Sequence, residues 1–232
     1  MKNYSLSISQ IVNKALTKTF LWMSLGLAIT ATTSYFLSTT QFINYFLHAS
    51  GYGSMFRIII LAMQLILSFS LFFGIEKFSY STLVSLFLSF SAVTGMNLSI
   101  LFFVYELSSI ISIFLITSGM FLGLGIYGLI TKKDFTPLYG FINMIIWGLF
   151  IFTIINIFVQ SILFSKLLCI IGIVIFALLT VMDIQNIKKA LSDHAYDNEM
   201  QKKLSILGAT ILYQHFLSLF LRLLQLLGKR KK

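Results

Sequence analysis

Seven apolar runs divide the chain, with approximate limits 20–37, 55–74, 80–104, 108–130, 138–160, 163–187 and 205–227. Each is close to the roughly 20 residues a helix needs to cross the hydrocarbon core of a bilayer. Lipid leaves only helices or closed barrels as spanning structures, because every backbone polar group must be satisfied internally. Runs this continuous predict helices, not the alternating strands of a barrel. Polar punctuation supports the breaks: Glu76-Lys77, Tyr105-Glu106, Lys132-Lys133-Asp134 with Pro137, and Ser161 to Lys166. Residues 188–203, KKALSDHAYDNEMQKK, form the one sizeable polar connection. Residues 1–19 read as a short, amphipathic cytoplasmic lead-in, and 228–232, GKRKK, as a basic tail. The lead-in is long and no small-x-small cleavage site follows the first run, so that run reads as a retained signal anchor. No repeat is evident, and the expectation is one seven-helix domain at 20–227.

Composition turns this pattern into a class. The chain is 58% hydrophobic and only 10% charged, against about 25% charged in soluble domains. It is predicted to be an all-α integral membrane protein whose first partner is the lipid bilayer. The net charge of +10 does not point to nucleic acid, since the basic residues lie between and beyond the apolar runs, where topology-fixing charges belong. With the N-terminus in the cytoplasm, the inner segments hold Lys2, Lys14, Lys18, Lys77, Lys132, Lys133, Lys188, Lys189, Lys202 and Lys203, while the outer loops hold Arg57 and Lys166. That bias predicts a cytoplasmic N-terminus. The tail disagrees, because a seventh full crossing puts its basic residues outside. Either the last helix crosses anyway, or it is buried or re-entrant. The bias towards Ile, Phe, Lys, Asn and Ser suggests an AT-rich genome and a bacterial inner membrane.

Little in the chain carries chemistry. Asp183, in FALLTVMDIQNIKK at 176–189, is the single acidic residue within a clear apolar run. A charge in the membrane costs at least about 2.5–3.5 kcal/mol, so such a residue is a functional-site candidate. The alternative is a carboxylate at the headgroups that snorkels or caps. His215 is the second intramembrane titratable group. At helical spacing it shares a stripe with Gly208, Ile211, Ser218 and Arg222, while Asp183 shares a face with Leu179, Phe176 and Gly172. The two faces could meet across adjacent helices. Depth opposes this: Asp183 is about five residues from the following lysines and His215 about twelve from Lys203, a mismatch of roughly 10 Å. For His215, a core histidine bonded to a backbone carbonyl is the competing reading.

Gly119-x-x-x-Gly123, with Gly125 and Gly128, predicts close helix packing. The amides Gln64, Asn97, Asn143 and Asn156 are expected to bridge helices, and Trp22 and Trp147 to pack or anchor. Arg57 and Glu76 bracket the second run as interfacial charges. Cys169 reads as a small core hydrophobe. Three histidines, His48, His194 and His215, give no metal-ligand spacing. No GxSxG elbow, HExxH or phosphate-binding loop occurs, so neither enzyme activity nor a bound cofactor is expected.

Five segments together resemble the Bax inhibitor-1 (transmembrane BAX inhibitor motif) family, bacterial type. They are KTFLWMSLGLAITA (18–31), SAVTGMNLSILFFVY (91–105), FLITSGMFLGLGIYGLITKKDFT (114–136), FALLTVMDIQNIKK (176–189) and GATILYQHFLSLFLRLL (208–224). The resemblance implies a seven-helix bundle with the last helix central. It implies a pH-sensitive calcium leak channel, or a regulator of cell death or membrane proteolysis. The family's pH sensor is a pair of aspartates on the last two long helices. The first falls on Asp183, with Met182 in place of the usual tyrosine. The second position, before Phe216, is His215 here. A basic residue early in the family's second helix partners the first aspartate, and Arg57 stands in that stretch.

The expectation is therefore a pH-modulated leak channel gated by Asp183 and His215. Arg57, Ser218 and Arg222 are candidate gate partners, and Asp183 is a candidate transient contact for calcium. The alternative is a non-conducting regulator that binds another membrane protein, such as a protease or a death or stress factor.

Overall fold

The computed structural model describes residues 2–40, 52–133 and 135–231. His48 and Asp134 lie outside the described residues. Seven long helices dominate: α1 (Lys2–Thr39), α2 (Tyr52–Phe73), α3 (Tyr80–Leu98), α4 (Leu107–Ile130), α5 (Tyr139–Val159), α6 (Ile162–Asp193) and α7 (Asn198–Leu227). One further turn, Leu101–Val104, continues α3, and a short 3-10 turn, Thr136–Leu138, precedes α5. All seven are long and apolar enough to cross a membrane. This is an integral membrane protein.

The helices overrun the apolar runs. α1 begins at Lys2, so the polar lead-in is the first part of the same helix. α6 continues to Asp193 and α7 starts at Asn198, which shortens the polar connection to a tight turn. There the Asp197 carboxylate accepts from the N–H groups of Glu199 (3.0 Å) and Met200 (2.9 Å), capping α7. Ser79 caps α3 in the same way, its side chain accepting from the N–H of Thr82. α5 ends at Gln160 in the left-handed conformation (φ 51°), which allows a two-residue turn into α6. Hydroxyls within the spans bond the carbonyl one turn back, as Thr94 does to Phe90, Thr117 to Ile113 and Thr180 to Phe176. This hides polar groups that lipid could not satisfy.

Packing divides the chain into two compact units that share α6 and α7. The first comprises Met1–Glu106, Ile187–Tyr213 and Arg230–Lys232. In it α1 and α2 pack on α3. Gly26 lies against Phe87 and Ser91, and Gly95 against the Thr30 backbone, so a side chain at either would collide. The Tyr213 ring packs edge-on to Phe87 and Phe90. Gln64 and Asn97 bond each other between α2 and α3, with Thr94 accepting from Gln64 at 3.4 Å. The second unit comprises Leu107–Asn186 and Gln214–Lys229. Its core joins Ile142 and Leu149 of α5 to Leu168, Ile175, Leu179 and Met182 of α6. Phe114 and Phe121 of α4 pack edge-on to Phe216 of α7.

Of the glycines predicted to pack, Gly125 and Gly128 do so and the Gly119–Gly123 pair does not. Gly119 and Gly123 face open space, with nothing within 4 Å of the point where a Cβ would stand on either, whereas Gly128 lies against the Val181 carbonyl and Ile184 of α6. The small residues mark the helix, but the face in contact is set by Gly125 and Gly128. Of the four amides, Asn156 joins α5 to α6 through Ser165 (2.7 Å), while Asn143 is exposed. Trp147 is also outward-facing, against Phe150.

α7 is the most enclosed helix: 56% of its most apolar stretch is buried, against 11% for α2 and α5. It runs unbroken from Asn198 to Leu227. Beyond it, Arg230 forms an antiparallel bridge with Tyr105. Lys231 donates from its backbone to the Val104 carbonyl (3.0 Å) and from Nζ to that of Phe102 (2.7 Å). The basic tail thus caps the carbonyl end of the turn after α3, where cations are favoured.

Candidate functional site

α6 and α7 run antiparallel in the second unit, early α6 beside late α7: Gly172 meets Arg222, and Asp183 meets His215. The faces that meet are the two stripes read from the sequence. His215 Nε2 lies 3.5 Å from Asp183 Oδ2, and both side chains are largely buried, 13% and 14% exposed. Side-chain direction helps the two residues meet. Every Cα–Cβ bond tilts towards its own helix N-terminus. In an antiparallel pair this leans the shallower Asp183 inward along the axis and the deeper His215 back towards it.

Asn186, one turn beyond Asp183, donates from Nδ2 to Asp183 Oδ1 at 3.5 Å. With Nε2 of His215 turned to the carboxylate, Nδ1 is left buried and without a hydrogen-bond partner. The competing reading, a histidine held by a backbone carbonyl, is not what the geometry shows. Next along the hairpin is Phe176. Its ring meets His215 edge-on at 5.9 Å, and the Arg222 guanidinium lies 5.4 Å from its centroid. Arg222 also donates to the Leu168 carbonyl at 3.0 Å. Its stem lies over Gly172, where any Cβ would collide with it. An acid, an imidazole, an aromatic ring and a guanidinium are thus stacked in one column.

Ser218 is part-buried one turn beyond His215. Arg57 sits on α2, part-exposed, and belongs to neither ion pair among the described residues. Met182, where the resemblance sets a tyrosine, is buried in the α5–α6 core. No group of three or more His, Cys, Asp or Glu that could hold a metal occurs among the described residues. Asn186 was legible as an amide one turn from Asp183, a signal the sequence reading did not use. Cys169 is buried and unpaired, as a core residue.

The family described as Inhibitor of apoptosis-promoting Bax1 matches residues 12–232. The chain belongs to the Bax inhibitor-1 family. Relatives in this family include an uncharacterized protein of Borreliella burgdorferi, 37% identical over 95% of this chain and 94% of its own length. The inner membrane protein YbhL of Escherichia coli is 33% identical over 90% of this chain and 89% of its own. The uncharacterized protein RP147 of Rickettsia prowazekii is 33% identical over 92% and 89%. Membership gives the Asp183–His215 contact its context, because it occupies the two positions at which the resemblance placed the family's aspartate pair.

Proposed function

We propose that the chain is a non-enzymatic, pH-sensitive, calcium-permeable leak channel of a bacterial inner membrane, N-terminus in the cytoplasm, gated at Asp183 and His215. The observation that carries this reading is the 3.5 Å contact between the two largely buried side chains on antiparallel helices. The physical argument concerns charge. With the imidazole neutral, the Asp183–His215 pair carries the negative charge of the carboxylate and attracts a divalent cation. Protonation of the imidazole, whose ordinary pKa is about 6.5, makes the site an ion pair with no net charge. Charge-assisted N–H···O contacts draw in to about 2.7–2.9 Å, so the present spacing leaves slack that protonation takes up, locking α6 to α7. Arg222, beyond Phe176, adds positive charge on the same side of the histidine. Flux should therefore fall as pH falls through the histidine titration. Asp183→Ala in proteoliposomes tests the reading: it should abolish calcium entry above empty liposomes. Full flux in that variant would contradict it.

One observation favours a second reading. The site has a carboxylate facing an imidazole where the family has two carboxylates, which weakens its attraction for cations. A non-conducting regulator that binds a membrane protease or a stress or death factor fits that loss. It predicts no flux from folded protein in any variant, and a phenotype that follows tail deletion rather than Asp183→Ala.

A further inference from the structure

We propose that the cleft between the start of α1 and the start of α7 binds a phosphate-bearing anion, supplied by the headgroup of an anionic membrane lipid. A cavity of about 190 Å³ opens there, smaller than the roughly 300–1,000 Å³ of drug-sized pockets and suited to one compact group. α1 lines it with Lys14, Ala15 and Lys18, one helical face; α7 lines it with Gln201, Lys202 and Ser205, likewise one face. Three lysines line it, and no acidic residue does so among the described residues. The nearby carboxylates are committed elsewhere: Glu199 pairs with Lys203 at 3.2 Å, and Asp197 caps the first turn of α7. Lys14, Lys18 and Lys202 belong to neither ion pair among the described residues.

The floor is built rather than incidental. Gln201 is 7% exposed and Ser205 2%. The Gln201 amide donates to the Leu191 carbonyl at 3.2 Å, and the Ser205 hydroxyl lies 2.9 Å from the Gln201 carbonyl and 3.3 Å from that of Ala15. These bonds tie α1, α6 and α7 together beneath the lysines, so the cations are held over a fixed base. Their height selects the source. Lys18 lies just ahead of the first apolar run and Lys202 just ahead of the seventh, which is the level of lipid headgroups. Basic pockets between spanning helices at that level recognise anionic headgroups. The site does not depend on conduction through Asp183.

The test is native mass spectrometry of the full chain, comparing retained phosphatidylglycerol with phosphatidylcholine. Preferential retention of phosphatidylglycerol is expected in the wild type. It should fall by roughly five-fold per lysine removed, and on the order of 100-fold in K14Q/K18Q/K202Q. K14R/K18R/K202R and K188Q/K189Q should retain it, separating the site from general surface charge. If the triple glutamine variant fails to fold, K202Q alone carries the test with its roughly five-fold loss. Equal retention by wild type and the glutamine variants overturns the proposal. Binding of inorganic phosphate that needs the same lysines, without preference for phosphatidylglycerol, overturns the lipid as the source.

Discussion

Phe176 touches two side chains of α7, meeting the His215 ring edge-on and lying beneath the Arg222 guanidinium. Their positions were legible because a helix repeats its faces, and the stripes through Asp183 and His215 contain few other polar residues. The small residue opposite Arg222 was legible only as a face-mate of Asp183. Its use follows from contact: Gly172 leaves room for the guanidinium stem. The Gly119–Gly123 pair shows the limit of such reading, since spacing marks small residues without saying which side a neighbour occupies. Gly128→Leu should overpack against Val181 and Ile184 and cost about 1–3 kcal/mol. Gly119→Leu, at a position with open space, should leave the melting temperature in detergent unchanged. A thermal unfolding comparison of the two variants checks this. Gly172→Val should dislodge Arg222 and lower the melting temperature as Gly128→Leu does.

α7 is the element that both sites share. Apolar pattern located it but did not measure it. Composition marks only the part of a helix in lipid, while the residues NEMQKK carry the same helix onward into water. For the same reason α1 and α6 exceed their apolar runs. Midway along α7, Tyr213 is fully buried and its hydroxyl lies 2.6 Å from that of Thr30. The Thr30 hydroxyl also lies 2.9 Å from the carbonyls of Gly26 and Ser91, which accept its proton when Tyr213 donates. No sequence motif announces that bond, which joins residues far apart in the chain. Tyr213→Phe should lower stability by about 0.6 kcal/mol, and by no more than about 1.7, the range for hydrogen bonds between membrane helices. Chemical or thermal unfolding in a fixed detergent measures it, and a loss several times larger would mean the hydroxyl holds more than this contact.

Across the whole molecule, the seven spans and their class were readable from the apolar runs, while the tail was not. Lysine and arginine counts place the tail awkwardly outside, but its attachment is made by backbone carbonyls of residues 102 and 104, which leave no trace in composition. The pairing of Arg230 with Tyr105 puts the tail at the connection between α3 and α4. Cysteines at Glu106 and Arg230 should therefore react with a membrane-impermeant maleimide from one side. A cysteine at the exposed Tyr196, in the α6–α7 turn, should react from the other side. Cys169 is buried and gives a silent background. Labelling of positions 230 and 196 from the same side would mean that α7 does not cross.

Calcium entry into proteoliposomes from pH 5.5 to 8, wild type against His215→Asp, decides whether the contact between Asp183 and His215 is a gate. If it is, wild-type flux falls on acidification around the histidine titration. His215→Asp, which creates two carboxylates sharing a proton and attracting a divalent cation together, should raise flux at neutral pH and move the midpoint. Unchanged flux and an unchanged pH profile in His215→Asp would contradict a gate at this pair.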